Sequence, residues 1–227
     1  MPSLRQAVPS AAVALMLLSA TAFAQNTTTY AQLPRFQQVS DKLFRSGQPR
    51  AGGVARLREL GINTIINLRG ASSSTRKEEA EARAVGLNYF NIALPNWGRP
   101  QDSRVARILD LIAAPQNGRV LVHCKDGVDR TGTIVAVYRM MHEGWTSQDA
   151  LAEAERNGMR RTQVWMRDYV DDYGDRVVLL GPQAALKSPS VGESFDDRVG
   201  ASMRVVERGT FRARKVARIF LRKFSIR

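Results

Sequence analysis

The order of elements along the chain predicts an α/β fold, a central and mostly parallel sheet flanked by helices on both sides. Two observations lead there. Short β-branched runs suited to buried strands, INTIINLR at 62–69 and RVLVHC at 119–124, alternate with segments whose apolar residues recur at helical spacing. Gly and Asn-Gly punctuation separates them, and no internal repeat is present.

Residues 26–35 are polar and read as irregular. LFRSGQP, 43–49, reads as a short strand entering a turn at Gly47 and Pro49. Val54 to Leu60 (VARLREL) has helical spacing and stops at Gly61, placed as a C-cap. The strand 62–69 follows. Ser72 to Val85 is charged and contains several helix formers, ending at Gly86, and LNYFNIAL, 87–94, is the next strand. PNWGRP, 95–100, is a loop. DSRVARILDLIA, 102–113, is an amphipathic helix with Asp102 placed to cap or charge its N-terminus. After Asn117-Gly118 comes the strand 119–124, then an apolar helix over 133–141 and another, TSQDALAEAERNG, from Thr146.

The ends differ from this middle. Residues 1–24 carry Arg5, then the apolar run AAVALMLLSATAFA, closing on Ala22-Phe23-Ala24. This is the pattern of a cleaved signal peptide and implies export, periplasmic or secreted. The run is shorter than the roughly 20 residues a spanning anchor needs. One domain is expected over 33–178, a Pro/Gly/Ser-punctuated linker over 181–202 and a basic tail over 203–227. The formal net charge is +13, and from Arg204 to Arg227 nine Lys or Arg face Glu207 alone. In FRARKVARIFLRKF, Val216, Ile219, Phe220 and Phe224 fall on one helical side and Lys215, Arg218 and Arg222 largely on the other. That pattern fits contact with an anionic membrane surface; a solvated tail and a helix packed on its own domain are the other readings. Nucleic acid is not expected as a partner, since no base-stacking or groove-reading motif accompanies the charge. The single cysteine excludes an internal disulfide. With two histidines it also falls short of the usual four Cys/His ligands, so a structural zinc site is not expected.

That cysteine lies in HCKDGVDRTG, residues 123–132, between a strand and a helix. Ligands of α/β proteins bind at such junctions, at the carboxyl end of a strand and the N-terminus of a helix. The loop Lys125, Asp126, Gly127, Val128 and Asp129 is short enough to curl its N–H groups inward as an anion cradle, with Gly127 permitting a tight turn. Arg130 offers a planar fork for two phosphate oxygens. Thiols at helix N-termini beside cations ionise readily and attack as thiolates, which suits Cys124 to a nucleophile's role. Thr131 can stabilise that thiolate through its hydroxyl, and His123 is suited to ordering the loop rather than to acting as a base. A lone cysteine is ordinarily a small buried hydrophobe; the residues around this one argue otherwise.

HCKDGVDRTG matches H-C-x-x-G-x-x-R-[ST]-G, the signature of the cysteine-dependent protein tyrosine and dual-specificity phosphatases. With FRSGQP and GINTIINLR, it makes residues from about 33 to 178 resemble the small atypical dual-specificity phosphatases of bacteria, plants and fungi. The resemblance implies a dual-specificity phosphatase-like fold and a two-step, metal-free hydrolysis. Cys124 would form a cysteinyl-phosphate while Arg130 and the loop amides hold the phosphoryl oxygens. It also implies a general acid on a loop reading W-P-D-x-G-x-P. The comparable stretch here is LPNWGRP, 94–100, with Asn96 where the aspartate would stand. Asp129 is the first substitute, because C-x-D-G-x-D-R resembles the loop of the myotubularin lipid phosphatases. Asp102 is the alternative, against a purely structural place at its helix start. Asp126 reads as loop architecture. Lys125, at the pocket mouth, suits a highly phosphorylated or lipid headgroup substrate. Substrates thus range from phosphotyrosine or phosphoserine in proteins to inositol phosphates and phosphoinositides.

A pseudophosphatase, a phosphate-binding or membrane-docking module without an efficient acid, is the rival of a different class. Sulfur transfer on a rhodanese-like loop is a second rival, disfavoured by the Arg-Thr-Gly ending. Arg45 and Arg69 read as pocket cations or as structural groups, Trp97 as pocket border or core, and His142 as an ordinary helix residue.

Overall fold

The computed structural model describes residues 29–182. The expected leader, nearly all of the linker and the basic tail lie outside the described residues. The elements run β1 (Gln37–Gln38), β2 (Leu43–Ser46), α1 (Gly53–Glu59), β3 (Thr64–Asn67), α2 (Ser73–Ala84), β4 (Asn88–Asn91), α3 (Asp102–Ala113), β5 (Val120–His123), α4 (Asp129–His142), α5 (Ser147–Arg156) and α6 (Val164–Leu180). One five-stranded sheet has the order β1-β2-β5-β3-β4. Only the β1–β2 pairing is antiparallel. The fold is therefore the mostly parallel α/β sheet that the sequence predicts.

Period-two alternation divides the core. Phe44, Leu121, Ile65 and Tyr89 share one face, packed with Val54 and Leu57 of α1 and Ala82 of α2. Leu43, Val120, Val122 and Ile66 point the other way, into the larger core built with α3, α4, α5 and α6. The central helix α4 is buried along almost its whole length, with α5 and α6 packed over it. That is why its sequence is apolar all round instead of striped. Among the described residues no helix is long and apolar enough to cross a membrane.

Three differences from the sequence reading have physical causes. Helix α4 begins at Asp129, four residues before the expected 133, as Gly132 N–H donates to Val128 O at 2.7 Å. Its first turn is polar because it faces the loop, so hydrophobic spacing does not mark it. Helix α6, beyond the last segment read as helical, buries Met166, Tyr169, Val170 and Tyr173 at i, i+3, i+4 and i+7, a spacing present in the sequence. Asp102 occupies the first turn of α3, but neither it nor Gln101 caps the helix through a side chain; its carboxylate turns toward α6.

Candidate active site

The carboxyl ends of the parallel strands close on one polar row, Ser46, His123, Asn67 and Asn91. From His123 the chain turns through residues 124–128 and enters α4 at Asp129, so the loop sits where a central strand meets a helix N-terminus. Neighbouring groups take its carbonyls. Gln48 N–H donates to Lys125 O (3.0 Å), the buried Arg45 guanidinium donates to Gly127 O (2.8 Å), and His123 Nδ1 donates to Cys124 O (3.1 Å). With those carbonyls turned to the scaffold, the N–H groups of residues 125 to 131 find no acceptor among the described residues. A run of unpaired N–H groups at a helix start is a site for an anion.

Gly127 makes the curl possible. Its φ is +71°, and a Cβ there would lie 2.5 Å from Gly47 N and from the carbonyl carbon and oxygen of Ser46. No L side chain fits. Cys124 is buried at the base of the loop, and Arg130, half-buried, donates to Leu68 O at 3.3 Å. Thr131 is wholly buried and its hydroxyl has no partner among the described residues, so no Thr131–Cys124 hydrogen bond is in place.

A buried polar cluster supports the loop from below. His123 Nε2 lies 2.7 Å from Glu78 Oε1. The same oxygen accepts from Asn67 Nδ2 (3.2 Å) and from the Tyr89 hydroxyl (3.4 Å). Arg69 Nη2 approaches Glu78 Oε2 at 3.5 Å. Burial first, and the Glu78 charge second, hold the Tyr89 phenol well above its ordinary range, so it stays a donor. The Arg45 guanidinium is pushed down by burial, against the attraction of Glu153 and Cys124. Arg45 and Arg69 are thus scaffold cations, one on a loop carbonyl and one on Glu78.

Both carboxylates considered as acids are occupied. Asp129 Oδ1 accepts from Arg160 N–H (2.9 Å), and its Oδ2 accepts from Arg160 Nε (2.9 Å) and Nη2. Arg160, in the connection between α5 and α6, also lies 3.8 Å from Asp126 Oδ2, while Asp126 and Lys125 are exposed on the rim. Asp102 accepts from the Tyr169 hydroxyl (2.7 Å) and from both Arg176 Nη atoms (2.9 and 3.0 Å). Burial alone would raise the Asp102 pKa; the bonds and charge of Arg176 and the Tyr169 hydroxyl outweigh it and hold the carboxyl below the usual range. Loop 95–100 is anchored where Asn96 O accepts from Gln163 Nε2 (3.2 Å) and Arg99 pairs with Asp172 (2.7 Å). Trp97 stands outside the core, 62 % exposed. Sequence reasoning did not single out Glu78 or Arg160, which look like ordinary surface charges until the fold brings them to the loop. Among the described residues no group of three or more His, Cys, Asp or Glu could hold a metal ion.

Comparison with known proteins places this geometry. Residues 21–172 match the model of a family described as DSP-PTPase phosphatase fused to NAD+ kinase. The dual specificity protein phosphatase TpbA of Pseudomonas aeruginosa strain UCBPP-PA14 is 35% identical over 122 residues, 53% of each chain. Inositol diphosphatase DSP3 of Arabidopsis thaliana is 31% identical over 129 residues, 54% of this chain and 61% of that one. The chain therefore spans only about half the length of the first curated relatives it matches. Among solved structures, the P. aeruginosa TpbA crystal structure is 26% identical with a TM-score of 0.50, covering 65% of this chain and 99% of that one. The core catalytic domain of the S. cerevisiae PP-IP phosphatase SIW14 shares the fold at a TM-score of 0.59 and 18% identity, covering 66% and 91%.

Proposed function

Because the chain belongs to the DSP-PTPase phosphatase family, whose model spans more than half of it, we propose that it is a cysteine-dependent phosphatase acting on phosphoric monoesters or anhydrides. The observation that carries this reading is the run of unpaired N–H groups at residues 125–131, curled over Cys124 and flanked by Arg130. Seven donors and a guanidinium suit a phosphoryl dianion, and they strengthen as charge spreads onto its equatorial oxygens. Cys124 Sγ attacks phosphorus; the S–P bond forms as the P–O bond to the leaving group breaks, and that electron pair goes to the leaving oxygen. Water then attacks phosphorus and the S–P bond breaks. The thiolate is returned, inorganic phosphate departs, and the proton of water passes to solvent. The buried Thr131 hydroxyl, lacking another partner, is the group to donate to the returning thiolate.

Leaving groups narrow the substrate. The Asn96 amide has no proton to transfer, and the oxygens of Asp102 and Asp129 are taken by Arg176, Tyr169 and Arg160. Leaving groups that depart as stable anions, phenolates or phosphates, are favoured over alkoxides. That range includes an aryl ester such as phosphotyrosine and a phosphoanhydride such as a diphosphate, the classes suggested by the names of the relatives. The test is a rate series over aryl phosphates, an anhydride and alkyl phosphates. Turnover falling steeply as the leaving group becomes more basic supports the reading, and equal rates on alkyl and aryl esters overturn it. No turnover of any member would favour the phosphate-binding module instead. Export through residues 1–24 and contact of the tail, 203–227, with anionic membrane belong to the same proposal. Removal of 203–227 should then weaken binding to anionic vesicles.

A further inference from the structure

The phosphate-binding loop carries acids of its own. From Lys125 to Arg130 two cations, Lys125 and Arg130, stand with two carboxylates, Asp126 and Asp129, so these side chains sum to no net charge. A thiolate at Cys124 adds one negative charge, and the phosphoryl group to be bound is a dianion. Arg45 lies beneath the loop on Gly127 O, where it stands in the field of Glu153.

A compensating cation comes from outside the loop. Gly158, Met159 and Arg160, between α5 and α6, lie along the loop and the first turn of α4. A Cβ at Gly158 would be 3.7 Å from both Val128 methyls, and one at Gly132 would be 3.2 Å from Met159 Cε. Met159 is buried in the core, so packing sets this stretch in place whatever side chain follows it. Arg160 N–H, Nε and Nη2 all donate to the Asp129 carboxylate, and Nη2 also lies 3.8 Å from Asp126 Oδ2. The Asp129 side chain is 6 % exposed and serves as the fixed anchor, whereas those of Arg160 and Asp126 are each 55 % exposed. The bonds and charge of Asp129 first, and the charges of Asp126 and Cys124 after them, hold the Arg160 guanidinium above its ordinary range. Cys124 is thus within reach of its field.

We propose that Arg160 is a positioning residue of the phosphate site, a fixed positive charge that cancels Asp129 and Asp126 and so sets the loop's affinity for a phosphoryl dianion. The proposal rests on the reading of the loop as a phosphate site. A half-exposed arginine adds little to folding through such a pair. Its consequence is for the bound anion, which would otherwise meet two uncompensated carboxylates at the start of α4. A guanidinium that only braced the loop would act through its fork, whereas a charge acts whatever group carries it. Lys and Gln at position 160 separate the two.

The test uses the full-length Cys124→Ser protein, in which binding is read without turnover, and tungstate as the dianion, titrated calorimetrically at low salt. Arg160→Gln, which keeps a donor for Asp129 and removes the charge, should weaken tungstate binding by about fivefold to tenfold. Arg160→Lys, which keeps the charge and loses the fork, should stay within about twofold of the unsubstituted protein. The loss in Arg160→Gln should shrink at about 1 M salt, where charges are screened beyond about 3 Å. With Cys124 in place, Arg160→Gln should raise KM for an aryl phosphate in the same proportion and leave kcat nearly unchanged, because ground and transition states carry the same total charge. Full affinity in Arg160→Gln overturns the proposal. So does Arg160→Lys binding as weakly as Arg160→Gln, or a loss that salt does not change, since the fork's geometry would then be what acts. Absence of tungstate binding in Cys124→Ser with Arg160 present removes the phosphate site itself, and the proposal with it.

Discussion

Gly127 and Gly144 have nearly the same backbone and very different surroundings, so one substitution made at each separates strain from space. Their φ values are +71° and +69°. An alanine in that region costs about 1–2 kcal/mol, offset by roughly 0.4–1 kcal/mol through the stiffer unfolded chain. Both variants should lose about 1 kcal/mol on that account. At Gly144 nothing else is added, because no atom lies within 4 Å of the new Cβ. At Gly127 the methyl would meet three backbone atoms of Ser46 and Gly47 at 2.5 Å. Backbone cannot rotate away as a side chain can, so β2 or the loop must move, for a further ~1–3 kcal/mol. Urea unfolding at unchanged m should therefore place Gly127→Ala about 2–4 kcal/mol below wild type and Gly144→Ala about 1 kcal/mol below it. Displacing the loop should also lower aryl phosphate turnover by about 100-fold or more, with Gly144→Ala at wild-type rate. Equal destabilisation and equal turnover in the two variants would refute the packing of the loop against β2.

Other variants probe the rest of the site. Asp102→Asn should cost about 1–2 kcal/mol at neutral pH, a modest figure because the carboxylate is partly exposed and screened. The folded pKa of Asp102 is lowered, so its contribution is present above the unfolded value and lost as pH falls through the folded one; wild type and variant should converge in acid urea titrations. Glu78→Gln, weakening the contacts to His123 and Arg69, should cost about 3 kcal/mol with reduced turnover. Glu79→Gln, one position on and paired among the described residues with the exposed Arg83, should stay within ~0.5 kcal/mol by the same urea midpoints. Asp129→Asn should slow aryl and alkyl phosphates alike if Asp129 acts by holding Arg160. A loss confined to alkyl substrates would make it the acid.

Four of the five strands, five of the helices and the loop over Cys124 were legible because each leaves a local mark, such as β-branched runs, helical spacing or a signature of fixed spacing; the two-residue β1 (Gln37–Gln38) is too short to leave one. The start of α4 was not, since its first turn carries polar side chains toward the loop and has no hydrophobic periodicity. Helix α6 did carry the spacing, in Met166, Tyr169, Val170 and Tyr173, but among enough Asp and Arg to blur it. Roles that depend on distant partners could not be read at all. Glu78 meets His123 across the sheet, 45 positions away in sequence, and Arg160 meets Asp129 across α5; neither pairing has a local trace. Asp102 looks like a helix-start acid and instead joins α3 to α6, which only the packing of those helices decides.

The central claim is that Cys124 carries the phosphoryl group. Rapid acid quench of the full-length protein during turnover of an aryl phosphate, followed by peptide mass analysis, tests it directly. A phosphate adduct should be found on Cys124 and should disappear as substrate is exhausted. Cys124→Ser should show neither adduct nor turnover while still binding an oxyanion such as tungstate. Undiminished hydrolysis by Cys124→Ser, or an adduct on another residue, would contradict the account.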